Sequence, residues 1–261
     1  MAKLVGILNI TPDSFSDGGK YNNKDAALKH AQKLIDDEAA IIDIGAESTR
    51  PNATLISQKE EWDRLKDLLP AIIEKVHAAG KLVSVDTRHA KTAEEAIKLG
   101  VDIINDVSSC SDPKMPGVIK NSEAQLIINH NLGLPADPSN TLPENVDVIN
   151  EIKNWARTKI KSLIDAGIDR EQIIFDVGIG FGKNPKQSIL ILSNLDEFQD
   201  LEVPIFVGHS RKSFLNQFEP KTEMDKDSIT AVFSAKIAEH CDYIRVHNVQ
   251  LSKFMMKNFA A

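Results

Sequence analysis

Eight short apolar runs punctuate the chain: LVGILN (4–9), AIIDIG (40–45), LVSVD (82–86), DIIND (102–106), AQLIIN (124–129), QIIFDVG (172–178), PIFVG (204–208) and DYIRVH (242–247). They are continuous rather than alternating and rich in Ile and Val, the pattern of parallel strands buried on both faces. Longer segments with helical spacing lie between them, at 25–37, 59–79, 92–99, 143–166 and 228–240. Gly80, Gly100 and Gly167 stop helices just before the next apolar run. Strand and helix therefore alternate around the whole sequence, which predicts an α/β fold, a (β/α)8 TIM barrel. A doubly wound open sheet is the runner-up, weakened because no GxGxxG follows the first strand.

Length changes this little. A chain of 261 residues is normal for one such barrel, so a single domain over 1–261 is expected. The net charge of −7 argues against a broad nucleic-acid footprint, so cations for any anionic ligand must be gathered locally. No apolar run is long enough for a membrane span, and the N-terminal one is too short for a signal peptide. Cys110 and Cys241 have neither CxxC nor metal-ligand spacing, which reads as reduced thiols in a cytoplasmic protein.

In a barrel, the loops after each strand's C-terminal end build the site. Polar groups collect there: Asn9; Glu47 to Arg50; Asp86 to Arg88; Asn105 and Asp106; Asn129 to Asn131; Asp176 with Lys183; Ser210 to Ser213; Arg245 with His247 and Asn248. Some have bland explanations. Asp106 and Thr87 can cap following helices, and Glu47 can hold the second loop together. Asp86 and Asp176 each end an apolar strand, where an unpaired carboxylate is costly to bury, and two of them at one mouth favour a ligand.

GHSRKSF (208–214) is more pointed. If the next helix starts near Ser210, Arg211 and Lys212 fall in its first turn, where cations oppose the helix dipole unless an anion binds. The adjacent last strand supplies Arg245 and His247, and barrel phosphate sites commonly lie beside strands seven and eight. A phosphate or diphosphate pocket of Arg245, His247 and Asn9 is expected. DVGIGFGK (176–183) suits close approach of backbone to a flat ligand.

Together GILNITPDSFSDGG, IIDIGAESTRP, VSVDT, IINDVS, DVGIGFGK, VGHSRKSF and IRVHN, in that order from Gly6 to Asn248, make the chain resemble dihydropteroate synthase. The resemblance implies a TIM barrel that joins p-aminobenzoate to 6-hydroxymethyl-7,8-dihydropterin diphosphate, yielding 7,8-dihydropteroate and pyrophosphate in folate synthesis. It also implies a sulfonamide target, a homodimer and a Mg2+ cofactor. Asp176 would accept the 2-amino and N3–H donors of the pterin. Asn105 would complete the pyrimidine edge, Asp86 would face the other ring, and Lys212 would border both substrates. Asn9, with Asp17, would hold Mg2+ and the diphosphate beside Arg245 and His247.

The same resemblance implies that loops TPDSFSDGG and STRP close over the bound diphosphate. Phe15 would then wall the p-aminobenzoate ring with Thr49 and Pro51 alongside it. Arg50 would bind substrate together with Lys212, Arg245 and His247, Phe181 would lie on the pterin side, and Ser213 would receive the carboxylate. There are departures. Ala46 replaces a usual glycine, Val177 and Ile179 replace proline and phenylalanine, and INHN puts Asn129 and Asn131 where methionine commonly flanks the histidine. Arg88 and His209 sit at variable positions. Two competing readings follow: a methyltetrahydrofolate-binding domain of a corrinoid methyltransferase, and a catalytically silent pterin-binding protein. The cation set and the first loop favour the synthase over both.

Overall fold

Eight parallel strands close into one barrel in the order β1 to β8, with β8 paired back to β1. This is a computed structural model, and the structure describes residues 1–10, 20–49 and 53–260, with the side chains of 20–23 left aside. The expected (β/α)8 architecture holds, and the open-sheet alternative does not. The elements run β1 (Lys3–Asn9), α1 (Lys20–Asp36), β2 (Ile41–Gly45), α2 (Gln58–Leu65), α3 (Leu69–Ala78), β3 (Leu82–Asp86), α4 (Ala90–Lys98), β4 (Ile103–Asp106) and α5 (Met115–Lys120). They continue with β5 (Gln125–Asn129), α6 (Val148–Asp165), β6 (Ile173–Asp176), α7 (Pro185–Leu192), β7 (Ile205–Val207), α8 (Glu223–Ile237), β8 (Tyr243–Val246) and α9 (Val249–Phe259).

Differences from the sequence expectation have local causes. The helix expected over 59–79 is two helices, because Pro70 sits in the first turn of α3 and lacks the N–H that would continue α2. The helix expected from residue 143 begins at Val148, where the Asp147 side chain accepts the Asn150 N–H. The last long helix starts earlier than expected, at a Thr222–Asp225 capping box. Arg211 and Lys212 lie outside any α-helix. Lys212 instead precedes a 3-10 helix at Ser213–Phe218.

The main core lies between the barrel and its helices, with Phe175, Phe198 and many Ile, Leu and Val side chains fully buried. A second, smaller cluster fills the barrel itself: Val5, Ile41, Ile103, Ile127, Ile174 and Phe206, with Tyr243 against it. That apolar floor ends the barrel as a pore and leaves only its upper layer for polar chemistry.

Glu61 of α2 is fully buried and accepts a hydrogen bond from Thr87 Oγ1 (2.7 Å) just past β3. Burial pushes its carboxyl up to about 7, against the hydrogen bond from Thr87. Between the ordinary glutamate value and pH 7 the folded chain keeps this proton while the unfolded chain has released it. Stability therefore falls as pH rises across that window, by about 3 kcal/mol in all. Glu61→Gln mimics the neutral form, so its advantage over wild type in thermal unfolding grows from pH 5 to pH 8. An advantage independent of pH would contradict the buried-acid assignment.

Candidate active site

Strand register builds the site. Side chains two residues apart on a strand share a face. The floor residues Ile41, Ile103, Ile127, Ile174 and Tyr243 are thus each followed, one layer up, by Asp43, Asn105, Asn129, Asp176 and Arg245. Pairing then sets neighbours: Asn9 opposite Gly45, Gly45 opposite Asp86, Asp86 opposite Asn105, and Asn129 opposite Asp176. A Cβ on Gly45 would lie 3.5 Å from Asp86 Cβ and 3.7 Å from Asn9 Oδ1, and one on Gly208 would lie 3.4 Å from Asp176 Oδ2. Two strand-end glycines thus leave the space between the carboxylates unfilled by side chain.

Arg245 and Asp43 organise one side. Arg245 Nε donates to Asp43 Oδ2 (2.5 Å) and Nη2 donates to Asp86 Oδ2 (3.0 Å). Asn105 Nδ2 also donates to Asp43 Oδ2 (3.2 Å). Asp43 is fully buried, and its Oδ1 has no hydrogen-bond partner among the described residues. Burial works against the charge on Arg245, but Asp43 and Asp86 outweigh it and hold the guanidinium protonated. Asp86 faces the opening with its side chain one-fifth exposed (21%). Burial pushes its carboxyl up to about 7 despite Arg245, and the neighbouring Asp43, Glu61 and Asp106 add to the rise. The Arg245 bonds use two of five guanidinium N–H groups, which leaves donors for an anion.

Asp176 organises the other side. It is 6% exposed, and its Oδ1 accepts the Gly178 N–H (2.8 Å). Burial raises its carboxyl above the ordinary value, opposed by that N–H, by Lys212 and Lys183, and by Asn129. Lys212 Nζ lies 3.9 Å from the centre of the Phe181 ring, a close cation–π contact beside the acid. Phe181 is nearly buried, in a small cluster with Val107 and Ala136. Such an arrangement offers a flat, hydrogen-bonding heterocycle a carboxylate at one edge, an amide and a second acid at the other, and an aromatic wall.

The sequence pattern described as "Pterin binding enzyme" matches residues 5–247. The chain belongs to the dihydropteroate synthase family of pterin-binding enzymes. Dihydropteroate synthase of Bacillus subtilis is 38% identical over 256 residues, covering 97% of this chain and 86% of its own length. The crystal structure of dihydropteroate synthase from Anaplasma phagocytophilum, with bound 6-hydroxymethylpterin-monophosphate, superposes with a TM-score of 0.90 at 42% identity, covering 98% of this chain and 97% of that one. The Yersinia pestis enzyme in complex with a sulfonamide drug gives 0.89 at 33% identity, covering 98% and 92%. These relatives do not favour the corrinoid methyltransferase alternative.

Within this family barrel the expected site residues fall into three groups. Asn9, Asp86, Asn105, Asp176, Lys212, Arg245 and Phe181 converge on one mouth, as described above. His247 joins them from the end of β8: its backbone N–H donates to Ser210 Oγ (3.2 Å), and Ser210 Oγ lies 2.9 Å from His247 Nδ1. With that oxygen accepting from the backbone, its proton is assigned to Nδ1, which leaves Nε2–H as a donor. Thr49 is half-buried and its carbonyl accepts the Ala136 N–H (3.2 Å), joining the loops after β2 and β5. Ser213 is exposed, at the start of its 3-10 helix. Phe15, Asp17, Arg50 and Pro51 lie outside the described residues.

Other rim residues turn out to be internal supports. Arg211 makes a two-pronged ion pair with Asp227 (2.7 and 2.9 Å) and reaches Glu223 at 3.2 Å, so the protein's own α8 supplies the anion that sequence reasoning assigned to a ligand. Arg88 pairs in the same way with Glu47 (2.8 and 3.1 Å), and Glu47 accepts the Ile56 N–H, which is the bland reading of that acid. Asp106 accepts from Ser108 and Cys110 N–H groups and shapes its own loop. His209 is fully buried against Thr230 O, and burial holds it down at about 4. Asp43 was missed, though AIIDIG carries the same signal as Asp86: an acid inside an apolar strand.

The donor set suits Mg2+ in one way only. Among the described residues no cluster of three or more His, Cys, Asp or Glu side chains can hold a metal. Asn9 offers one neutral amide oxygen at the mouth, which fits an ion that draws its remaining ligands from phosphate oxygens and water.

Proposed function

We propose that this chain acts as a dihydropteroate synthase through the following division of labour. It joins p-aminobenzoate to 6-hydroxymethyl-7,8-dihydropterin diphosphate, giving 7,8-dihydropteroate and pyrophosphate. The observation that carries the site assignment is the juxtaposition of buried Asp176 with Asn105 and Asp86 across a mouth lined by Gly45 and Gly208. A pterin's 2-amino and N3–H groups form a donor pair that an ionised Asp176 accepts, and Asn105 supplies the mixed donor and acceptor that the rest of the pyrimidine edge needs.

The C–O bond to the diphosphate breaks with its electron pair leaving on the phosphate. Positive charge then develops on the methylene and the electron-rich dihydropterin. Asp86 and Asp176 stabilise it from fixed positions in a poorly solvated site, where such stabilisation is strong. The aniline nitrogen attacks the methylene and sheds its proton to solvent. Arg245 and His247 bind the diphosphate and hold it as it departs. Asn9, with Asp17, would hold Mg2+ against the same phosphates; when bound, the ion neutralises charge on the leaving group. Thr49 would border the p-aminobenzoate ring with Phe15 and Pro51, Arg50 would join the substrate-binding cations, and Ser213 would receive the carboxylate.

A homodimer and a cytoplasmic setting belong to the same reading. Met224 and Val232 on α8 and Phe254 and Phe259 on α9 are large, apolar and exposed, on two helices that pack together, which suits a second copy. Among the described residues no helix is long and apolar enough to cross a membrane. Residues 1–261 would act as one catalytic domain.

Incubation with both substrates tests the function. Stoichiometric pyrophosphate release with 7,8-dihydropteroate is expected. Methyl transfer to cob(I)alamin without pyrophosphate would install the methyltransferase reading instead, and ligand binding without turnover the silent one.

A further inference from the structure

Lys183 ends the glycine-rich loop after β6 and has no role in the division of labour above. It is 7% exposed, yet among the described residues no carboxylate lies within ion-pair distance of it. Its Nζ instead donates to the backbone carbonyl of His130 (2.7 Å) and lies 2.7 Å from His130 Nδ1. Burial and the nearby Lys183 hold that imidazole down at about 3, so it is neutral, and Nδ1 is the acceptor. The ring is itself fixed, edge-on to Trp155 with centroids 5.0 Å apart.

This clamp touches the backbone that holds Asp176. Gly178 has φ +73, and a Cβ there would lie 2.0 Å from His130 O, 2.7 Å from Lys183 Nζ and 3.0 Å from Asn129 Oδ1. Its peptide is therefore seated directly on the Lys183–His130 contact, which only glycine permits. The same residue's N–H donates to Asp176 Oδ1 at 2.8 Å, and the His130 N–H donates to the Asp176 carbonyl at 3.1 Å. The loops after β5 and β6 are thus stitched to each other and to the acid through one buried amine. The Asn129 side chain also hydrogen-bonds this carboxylate, and Lys183 and Lys212 act on it through charge, so the clamp works beside them to fix which oxygen faces the mouth.

We propose that Lys183 is a positioning residue for Asp176: its clamp on His130 seats Gly178 against Oδ1 and so presents Oδ2 to the bound pterin. This rests on the pterin-pocket reading above. A loosened clamp lets the carboxylate rotate, which weakens ring binding and also weakens its stabilisation of the cation, but leaves the p-aminobenzoate side of the site largely untouched.

The test uses full-length Lys183→Met, which keeps the volume and removes both hydrogen bonds. It is expected to raise the KM for the pterin diphosphate, and the Kd for 6-hydroxymethylpterin by calorimetry, about 10-fold or more, a magnitude set by one or two buried hydrogen bonds. The KM for p-aminobenzoate should move by less than about 3-fold, while kcat falls along with pterin affinity because Asp176 also stabilises the developing cation. His130→Asn retains an acceptor where Nδ1 stood and should keep pterin affinity near wild type. His130→Leu removes the ring acceptor but leaves the backbone carbonyl, so it should lose pterin affinity in the same direction as Lys183→Met by a smaller factor, and this pair decides the matter if Lys183→Met fails to fold. Unchanged pterin affinity in Lys183→Met, an equal loss in all parameters, or His130→Asn as damaged as His130→Leu overturns the proposal. A wild-type chain that binds pterin but releases no pyrophosphate overturns the synthase reading instead, and the pterin titrations still judge Lys183.

Discussion

Asp176→Asn weakens pterin binding about 100-fold or more, the loss of roughly 3 kcal/mol that two charge-assisted hydrogen bonds can supply. The direction follows from the acid's fixed orientation. Oδ1 already accepts the Gly178 N–H at 2.8 Å. An asparagine keeps that bond only by placing its oxygen there, which turns its NH2 toward the mouth beside Gly208. Two donors, the amide and the ring N3–H or 2-amino group, then face each other without an acceptor between them. The variant therefore loses an attraction and gains a repulsion.

Stability should move the other way. Burial already disfavours the Asp176 charge, so the neutral amide relieves a cost of folding even as it removes the ligand. Calorimetric titration with 6-hydroxymethylpterin, alongside thermal unfolding, separates the two effects. Unchanged pterin affinity in a folded variant would remove Asp176 from the pocket and with it the proposed orientation of the ring.

That pocket was largely readable because carboxylates and amides end apolar strands, where physics gives them few other reasons to be. Asp86, Asn105 and Asp176 announce themselves in this way, and parallel pairing puts them at one level without further information. Asp43 lies two residues deeper in its strand. It escaped notice because it lies just before a glycine that reads as the strand's end, although it is more deeply buried than Asp86 and Asp176. The cations were harder. Arg211 and Arg245 sit in similar polar surroundings along the chain, but Arg211 meets Asp227 sixteen residues later while Arg245 meets Asp43 across the barrel. Which anion an arginine finds is decided by tertiary packing, and spacing does not encode it. The expected helix start at Ser210 failed for a related reason. Arg211 has φ +58, a left-handed turn that closes the loop before any α-helix forms.

Lys212 was legible in kind but not in placement, and its removal is the second large effect. Its stem runs beneath the glycine-rich loop, where a Cβ on Gly180 would lie 2.9 Å from Lys212 Cδ, and its ammonium caps the Phe181 ring at 3.9 Å. One side chain thus holds an aromatic wall in place, lends positive charge to Asp176 and borders the rim where the second substrate enters. Lys212→Ala removes all three together. A cation–π contact contributes about 1–2 kcal/mol and a charge-assisted hydrogen bond to substrate about 2 kcal/mol, so kcat/KM for the pterin diphosphate should fall about 100- to 1000-fold. The KM for p-aminobenzoate should rise as well, by about 10-fold, the loss of about 1.4 kcal/mol. Lys212→Met keeps the stem and removes only the charge. It should preserve the Phe181 wall and so recover part of the loss toward the pterin, while the part due to the missing ammonium remains for both substrates. Steady-state kinetics on both variants decide it: normal Michaelis constants for both substrates would show that the ammonium over Phe181 is packing alone.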